Sequence, residues 1–204
     1  VYYYGTCLTD LLYAEAGMAG IRLLQREGVR VIYQMDQTCC GQPAFNSGFQ
    51  DDAREVAALQ IEQFPKDLLI VIPSGSCGAM MARHYKELFE GHPIHEKAQS
   101  FSSRIFELSE FLVHKLKVKL EDRGGPVKVT WHNSCHAKRE YGLGEEAKLL
   151  LRQLKNVELV ELKREDECCG FGGTFAVKHS TISGEMVLDE TSDVQQTGAD
   201  FLLS

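Results

Sequence analysis

The seven cysteines of this 204-residue chain include two adjacent pairs. One pair lies in "TCCGQPAF" (Cys39 and Cys40) and the other in "ECCGFGGTF" (Cys168 and Cys169), and a glycine follows each pair. Neighbouring cysteines can form a disulfide with each other only in strained geometry. No secretory signal is recognisable, so we expect a cytoplasmic protein whose thiols stay reduced and serve in metal ligation or redox chemistry.

The spacing of these cysteines indicates an internal duplication. Four positions of the first half, Cys7, Cys39, Cys40 and Ser74, serve as landmarks that recur in the second half. The first two landmarks are 32 positions apart in the first half and 33 in the second, and the last two are 34 and 35 positions apart. Matching spacing at four landmarks is hard to explain except by two copies of one unit. The landmarks pair as Cys7 with Cys135, Cys39 with Cys168, Cys40 with Cys169, and Ser74 with Ser204.

Alternating strand and helix patterns surround the cysteines in both halves. The predicted strands are "VYYY", "VRVIYQM" and "DLLIVIP" in the first half, then "VKVTWHN", "VELVELK" and "ADFLLS" in the second. Helical spacing separates them. The sequence therefore predicts an α/β protein of two duplicated, Rossmann-like βαβαβ lobes with parallel sheets, related by a pseudo-two-fold axis.

The domain boundaries follow from the same patterns. Residues 1–120 form the first repeat with a helical extension, since 94–118 is predicted to be helical, and 127–204 form the second. The charged, glycine- and proline-containing "EDRGGP" at 121–126 is the predicted linker. The first helix is expected to bury one face, which comprises Leu12, Ala16, Ala19 and Leu23.

Each cysteine follows a predicted strand and precedes a helix. Because the carboxyl ends of parallel strands lie at one edge of a sheet, cysteines distant in sequence should converge there. We call Cys7, Cys39, Cys40 and Cys77 the first thiol set, and Cys135, Cys168 and Cys169 the second thiol set.

Three interpretations of the thiol sets compete. Buried structural thiols would explain neither the duplication nor the loop positions. A zinc site, at one of the two positions, would need four tetrahedral ligands, and adjacent cysteines chelate a single ion poorly. An iron–sulfur cluster offers several irons to neighbouring thiolates, and the backbone can approach it closely at glycines. The glycines expected to do so are Gly41, Gly170, Gly172 and Gly173.

Longer motifs around the cysteines resemble the CCG-type cysteine-rich family. They are "QTCCGQPAFNSG", "PSGSC", "NSCHAKREYG" and "CCGFGGTFAVKHSTISGEMV", and the resemblance extends over nearly the whole chain. The family includes the cysteine-rich subunit of heterodisulfide reductase and the iron–sulfur subunit of glycolate oxidase. The resemblance implies that both thiol sets hold iron–sulfur clusters, of the 4Fe-4S type, and that the chain is a cytoplasmic electron-transfer subunit.

Within the family, the motifs look most like the lactate-utilization group. That likeness implies a role in oxidising L-lactate to pyruvate beside two companion lactate-utilization proteins, at least one of which carries iron–sulfur clusters. The alternatives are the equivalent subunit of a glycolate or glycerol-3-phosphate oxidising complex, and a zinc-stabilised scaffold module. The oxidoreductase activity is expected from the complex rather than from this chain alone.

Two positions depart from the family pattern. The first repeat reads "SGSC", so Ser74 stands where the heterodisulfide reductase member of the family has a cysteine. The second repeat reaches Ser204 before the last cysteine of the family pattern, so we expect an incomplete second site with three thiols. His132 and His179 are candidates for a missing ligand.

Several further residues and properties bear on the function. His136 is expected to contribute to cofactor binding, and Lys138 and Arg139 could bind a small carboxylate or offset thiolate charge. The net charge of −7 argues against nucleic-acid binding, and the apolar runs are of strand length, too short for a direct membrane span. "GFGG" lacks the spacing of a nucleotide-binding motif.

Overall fold

The computed structural model describes all residues from Val1 to Ser204 and contains two parallel sheets. Their strands are β1 (Tyr2–Tyr3), β2 (Ile32–Tyr33), β3 (Ile70–Ile72), β4 (Ile105–Glu107), β5 (Val127–Trp131), β6 (Val157–Val160) and β7 (Phe201–Leu203). The strand order is β2-β1-β3-β4 in the first sheet and β6-β5-β7 in the second. In both, the earliest strand lies between the next two, which confirms the α/β class and two Rossmann-like lobes.

Helices follow nearly every strand. The first lobe contains α1 (Cys7–Leu12), α2 (Ala14–Arg26), α3 (Gln42–Asn46), α4 (Gln50–Gln63), α5 (Gly75–Ala79), α6 (Tyr85–Leu88), α7 (His95–Ser102) and α8 (Leu108–Glu110). A π-helical stretch, Met80–His84, joins α5 to α6, and another, Phe111–Leu116, continues α8. The second lobe contains a π-helix, His136–Tyr141, then α9 (Glu146–Leu151), α10 (Thr174–Lys178) and α11 (Ser180–Gln196). None of these helices has the length and apolar character needed to span a bilayer.

The first sheet is buried on both faces. Successive residues of a strand point to opposite faces, so β1 and β3 divide their side chains between two cores. Tyr2 and Ile70 join the larger core, which packs under α4 to α7. Tyr3 and Val71 join the smaller core with Leu24 of α2. This double burial explains why these strands are apolar throughout rather than alternating.

Two expectations about the first lobe are wrong. The predicted helix over 94–118 is interrupted by β4, which pairs with β3 through Ile70 and Ile105. A strand of three residues is too short to show a two-residue period between two helical segments. The predicted buried face of the first helix is also displaced, because Leu12, Ala16 and Ala19 are exposed. Gly17, Gly20 and Leu24 are buried in their place.

The lobes meet where α5 packs against the π-helix His136–Tyr141. A Cβ atom built on Gly75 would lie only 2.3 Å from Cβ of Ala137, so the two helix backbones are almost in contact. His84 Nε2 lies 2.8 Å from the Glu140 carboxylate across the same interface. Ser47 and Thr174 share a further hydrogen bond at 3.1 Å. The helix that carries Cys77 therefore packs directly on the helix that begins after Cys135.

Candidate metal centre

The first thiol set forms one continuous group at the carboxyl ends of β1, β2 and β3. The sulfur atoms of Cys40 and Cys77 are 3.5 Å apart. Cys39 interacts with both the Cys40 and the Cys7 side chains, which links the four thiols. Cys40 and Cys77 are buried and Cys7 is exposed, so the group runs from the core to the surface. All seven cysteines of the protein are free thiols.

Hydrogen bonds between the thiols divide them into readily and reluctantly ionised groups. The Cys40 side chain is the main cause that lowers the pKa of Cys39 to about 6. Burial, followed by repulsion from Cys39, raises the pKa of Cys7 to about 11. The hydrogen bond from Cys40 lowers the pKa of Cys77. Interaction with Cys39, followed by that with Cys77, raises the pKa of Cys40 well above its usual range. No cation is among the main groups that shift the pKa values of these four thiols. Several thiolates gathered without a counter-ion are unfavourable until a metal supplies positive charge.

Serine and tyrosine hydroxyls support the first thiol set. Ser74, the residue that replaces a family cysteine, interacts with the Cys77 side chain and helps to lower its pKa. Its Oγ atom also lies 3.2 Å from Oγ of Ser76. The buried Tyr85 hydroxyl donates to the carbonyl of Cys40 at 2.9 Å. Ser74 thus stabilises a thiolate at the place where a further thiol would otherwise stand.

The second thiol set is divided into two contacts. Cys135 interacts with the Cys168 side chain, and its sulfur lies 3.6 Å from Nδ1 of His136. Cys169 instead interacts with the His132 side chain. This contact is the main cause that lowers the pKa of Cys169 and raises the pKa of His132. The structure therefore places His132 and His136 at the second set.

The glycines after the cysteine pairs have a packing role. Gly41 and Gly170 adopt left-handed conformations, with φ of 85° and 80°. A Cβ atom on Gly170 would lie 2.7 Å from Cβ of Met186 and 2.9 Å from the backbone oxygen of Ser183 on α11. Gly172 and Gly173 also have positive φ. The positive φ angles and the close packing do not depend on a cofactor, so they explain why glycine occupies these positions independently of cluster binding.

The basic residues after Cys135 are engaged by protein groups. Lys138 forms an ion pair with Asp166, and Arg139 donates to the Asp166 carbonyl. Both contacts attach the π-helix to the loop that leads to Cys168, rather than leaving the cations for a small carboxylate. His179 is exposed and packs on Phe175, with ring centroids 5.2 Å apart, and no contact joins it to the thiols.

Sequence reasoning missed one residue beside the second thiol set. Glu190 of α11 is only 8% exposed, and its Oε1 atom lies 2.7 Å from Nδ1 of His132. The signal in the sequence was a pair of carboxylates, Glu190 and Asp193, spaced to share a helix face. Both are buried, whereas the apolar Leu188 is 62% exposed.

The residues present fit a thiolate-bound cluster. As the side chains stand, no three histidine, cysteine, aspartate or glutamate residues are arranged to hold one metal ion. Both sets nevertheless offer soft sulfur donors, which favour iron–sulfur clusters and zinc over hard cations. Backbone N–H groups also point at the sulfurs, as Gly41 N does at 3.5 Å from Cys39. Hydrogen bonds of this kind are among the features that tune cluster potentials.

Comparisons with known proteins agree with these observations. A family model described as the cysteine-rich domain CCG matches residues 1–82 and 129–204. Lactate utilization protein A of Halalkalibacterium halodurans is 42% identical over 97% of this chain and 81% of its own length. The proteins of that name from Shouchella clausii and Bacillus licheniformis are 44% and 42% identical, each over 97% of this chain and 83% of its own length. The chain therefore belongs to the CCG cysteine-rich domain family, as its motifs predicted.

Proposed function

We propose that this chain is an iron–sulfur electron-transfer subunit of a cytoplasmic system that oxidises L-lactate to pyruvate. Each thiol set binds a cluster of the 4Fe-4S type, with Cys7, Cys39, Cys40 and Cys77 as the first ligands and Cys135, Cys168 and Cys169 as the second. The chain works beside two companion lactate-utilization proteins, at least one of which has clusters of its own. The names of its relatives support this substrate.

The observation that carries the proposal is the direct packing of the two helices next to which the thiol sets lie. Cys77 lies two residues beyond Gly75, and Cys135 lies two residues before Ala137, the pair at which the lobes touch. Two redox centres held by neighbouring helices favour transfer between them. A scaffold module with structural metal would not need its two sites to adjoin.

The protein residues have distinct tasks in this proposal. When bound, an iron–sulfur cluster accepts and releases electrons one at a time. The buried Cys40 and Cys77 keep water from the inner side of the first centre, and the exposed Cys7 marks the side open to a partner. Ser74 lowers the pKa of Cys77 and so stabilises its charged form.

Anaerobic analysis of iron and acid-labile sulfide tests the cofactor. We expect both elements in the full protein, with visible absorbance that bleaches on reduction. A Cys40→Ser variant should lose the iron and sulfide of the first centre, whereas Ser100→Ala, on the exposed surface of α7, should keep them. Zinc without sulfide would support the scaffold module and overturn the electron-transfer role.

Reconstitution with the companion proteins tests the reaction. Oxidation of lactate removes two electrons and two protons, which calls for an electron-pair acceptor that clusters alone do not provide. We expect no lactate turnover by the isolated chain, turnover by the complex, and loss of turnover in a complex that contains Cys169→Ser. Faster turnover with glycolate or glycerol 3-phosphate than with lactate would reassign the substrate.

A further inference from the structure

A short acidic segment leads from β6 to the second cysteine pair. Residues 161–167, which we call the acidic loop, end directly before Cys168, and four of the seven are aspartate or glutamate. The loop contains no helix or strand, although a hydrogen bond from Glu167 N to Arg164 O closes a turn in it. Because regular structure does not fix its course, contacts with neighbouring elements must do so.

Lys148 of α9 contacts the acidic loop and is almost entirely buried. Its side chain is 2% exposed, and its Nζ atom lies 2.5 Å from Oε2 of Glu161 and 2.9 Å from Oε2 of Glu165. Burial lowers the pKa of Lys148, but the contacts with both glutamates outweigh it and raise this pKa above its ordinary value. The lysine is therefore charged. Removing one partner of such a buried pair is far more costly than removing one partner of an exposed pair.

Glu165 links the acidic loop to the π-helix that follows Cys135. Lys148 contacts Oε2 of Glu165, and Nζ of Lys138 lies 3.7 Å from Oε1 of the same carboxylate. Lys138 follows Cys135 by three residues, and Glu165 precedes Cys168 by three. One carboxylate between two lysines thus joins the chain segments that present these two cysteines.

Helix α11 holds the acidic loop at a second place. Arg164 N donates to Oδ2 of Asp193 at 2.8 Å, and Arg164 Nη2 donates to the Asp189 carbonyl at 2.6 Å. Asp193 is 4% exposed, and Leu162 of the loop is 6% exposed. The loop is therefore fixed to two different helices, and Lys148 is the more deeply buried of the two charged anchors.

We propose that Lys148 is a positioning residue of the second thiol set, because it fixes the acidic loop and thereby places the second cysteine pair beside Cys135. The proposal rests on the proposed function only in treating these thiols as metal ligands. Without the ammonium group, Glu161 and Glu165 lose the partner that they share, and their carboxylates regain water by moving the loop outward. The distance between Cys135 and Cys168 then increases, whereas the first thiol set keeps its geometry.

Hydrogen exchange of the metal-free full chain tests this positioning without a cofactor. The variant is Lys148→Met, which keeps an unbranched side chain and removes the charge. The matched control is Lys128→Met, which removes a lysine from an exposed pair with Glu158, at 3.4 Å, in the same lobe. We expect the backbone amides of 161–169 to exchange at least about tenfold faster in Lys148→Met and at the wild-type rate in Lys128→Met.

The first thiol set is the internal reference in the same experiment. Amides around Cys39 and Cys40 should exchange at the wild-type rate in Lys148→Met, since the ion-pair partners of the lysine all belong to the second lobe. Glu165→Gln keeps the shape of the side chain and should accelerate exchange of the loop by a smaller factor, because Lys148 retains Glu161. If Lys148→Met does not fold, Glu165→Gln decides alone. Unchanged exchange of the loop, or equal acceleration around both cysteine pairs, would overturn the proposal.

A spectroscopic measurement on the loaded protein distinguishes positioning from general stabilisation. In the Cys40→Ser background, where only the second centre is expected to keep its iron, Lys148→Met should shift the electron paramagnetic resonance spectrum of the reduced protein and speed the removal of iron by a chelator. A lysine that merely stabilised the fold would change neither while the protein stays folded, so identical spectra and removal rates would refute the assignment. If the chain holds zinc or no metal, the electron-transfer role fails, and the exchange experiment still decides the role of Lys148.

Discussion

Gly75 is the residue whose replacement most directly tests the contact between the two lobes. A Cβ atom at this position would lie 2.3 Å from Cβ and 3.1 Å from Cα of Ala137. Carbon atoms are in favourable contact at about 3.5–4.0 Å, so Gly75→Ala would force the helices apart by roughly 1 Å. Overpacking of this kind typically costs about 1–3 kcal/mol.

The matched control is Gly78→Ala in the same helix, α5. Its Cβ atom would lie 3.4 Å from the ring of Tyr141, an ordinary contact. Replacing glycine by alanine without strain usually stabilises a protein by about 0.4–1 kcal/mol. We therefore expect Gly75→Ala to lower the free energy of unfolding by about 1–2 kcal/mol net, and Gly78→Ala to leave it equal or higher.

Thermal and denaturant unfolding of the anaerobic protein measure the difference. For a chain of this size, each kcal/mol shifts the melting temperature by about 2–4 °C. Adding Ala137→Gly to Gly75→Ala removes the second methyl group and should restore more stability than the two single effects predict together. Equal stability of Gly75→Ala and Gly78→Ala, or strict additivity in the double variant, would refute the close helix contact.

Three further predictions concern the thiols, the glycine turn and the lobe interface. In the metal-free protein at pH 7.5, alkylation should label Cys39 before the more exposed Cys7. The reason is that their pKa values are about 6 and about 11, and only the thiolate reacts. Peptide mass spectrometry checks the order, and earlier labelling of Cys7 would contradict it. Gly170→Ala should lower the free energy of unfolding by about 2–4 kcal/mol from strain and overlap, whereas Gly184→Ala, whose Cβ atom meets nothing within 4 Å, should not. Burial opposes protonation of His84, but the hydrogen bonds that it donates to the Glu140 and Glu87 carboxylates outweigh it and raise its pKa above 6.5. Its ion pair therefore stabilises fully below pH 6.5 and is lost as the pH rises through the raised pKa; His84→Gln should remove this pH dependence of unfolding, and an unchanged profile would argue against the pair.

The parallel lobes and the meeting of the cysteines could be predicted because they depend on local patterns. Apolar runs such as "LLIVI" define strands, and strand direction then places Cys7, Cys39 and Cys77 at one edge. The chain division at 121–126 stays a prediction. What local patterns do not define is which neighbour a side chain meets across the fold.

Two residues illustrate that limit. Gly20 carries no apolar side chain, so the hydrophobic periodicity did not identify it as buried. The periodicity instead indicated Ala16 and Ala19 for the buried face of α2. In the structure a Cβ atom on Gly20 would lie 2.5 Å from the hydroxyl of Tyr3, so the absence of a side chain allows this packing. Glu190 was missed for a related reason, because a glutamate in a helix is typical of an exposed face until its partner, His132, is known.

The glycine turns after the cysteine pairs have a consequence for how the protein would acquire the metal proposed for it. Gly41 and Gly170 are held by contacts with α4 and α11, so protein atoms alone determine the path of each turn. Little backbone conformational entropy is then lost when metal binds. Zinc fingers differ, because there the free energy of metal binding is also the free energy of folding. We expect the emptied chain to remain folded after oxidative damage. If the chain binds clusters as proposed, it would then accept a preassembled cluster from a donor protein in a single exchange, without renewed synthesis or refolding.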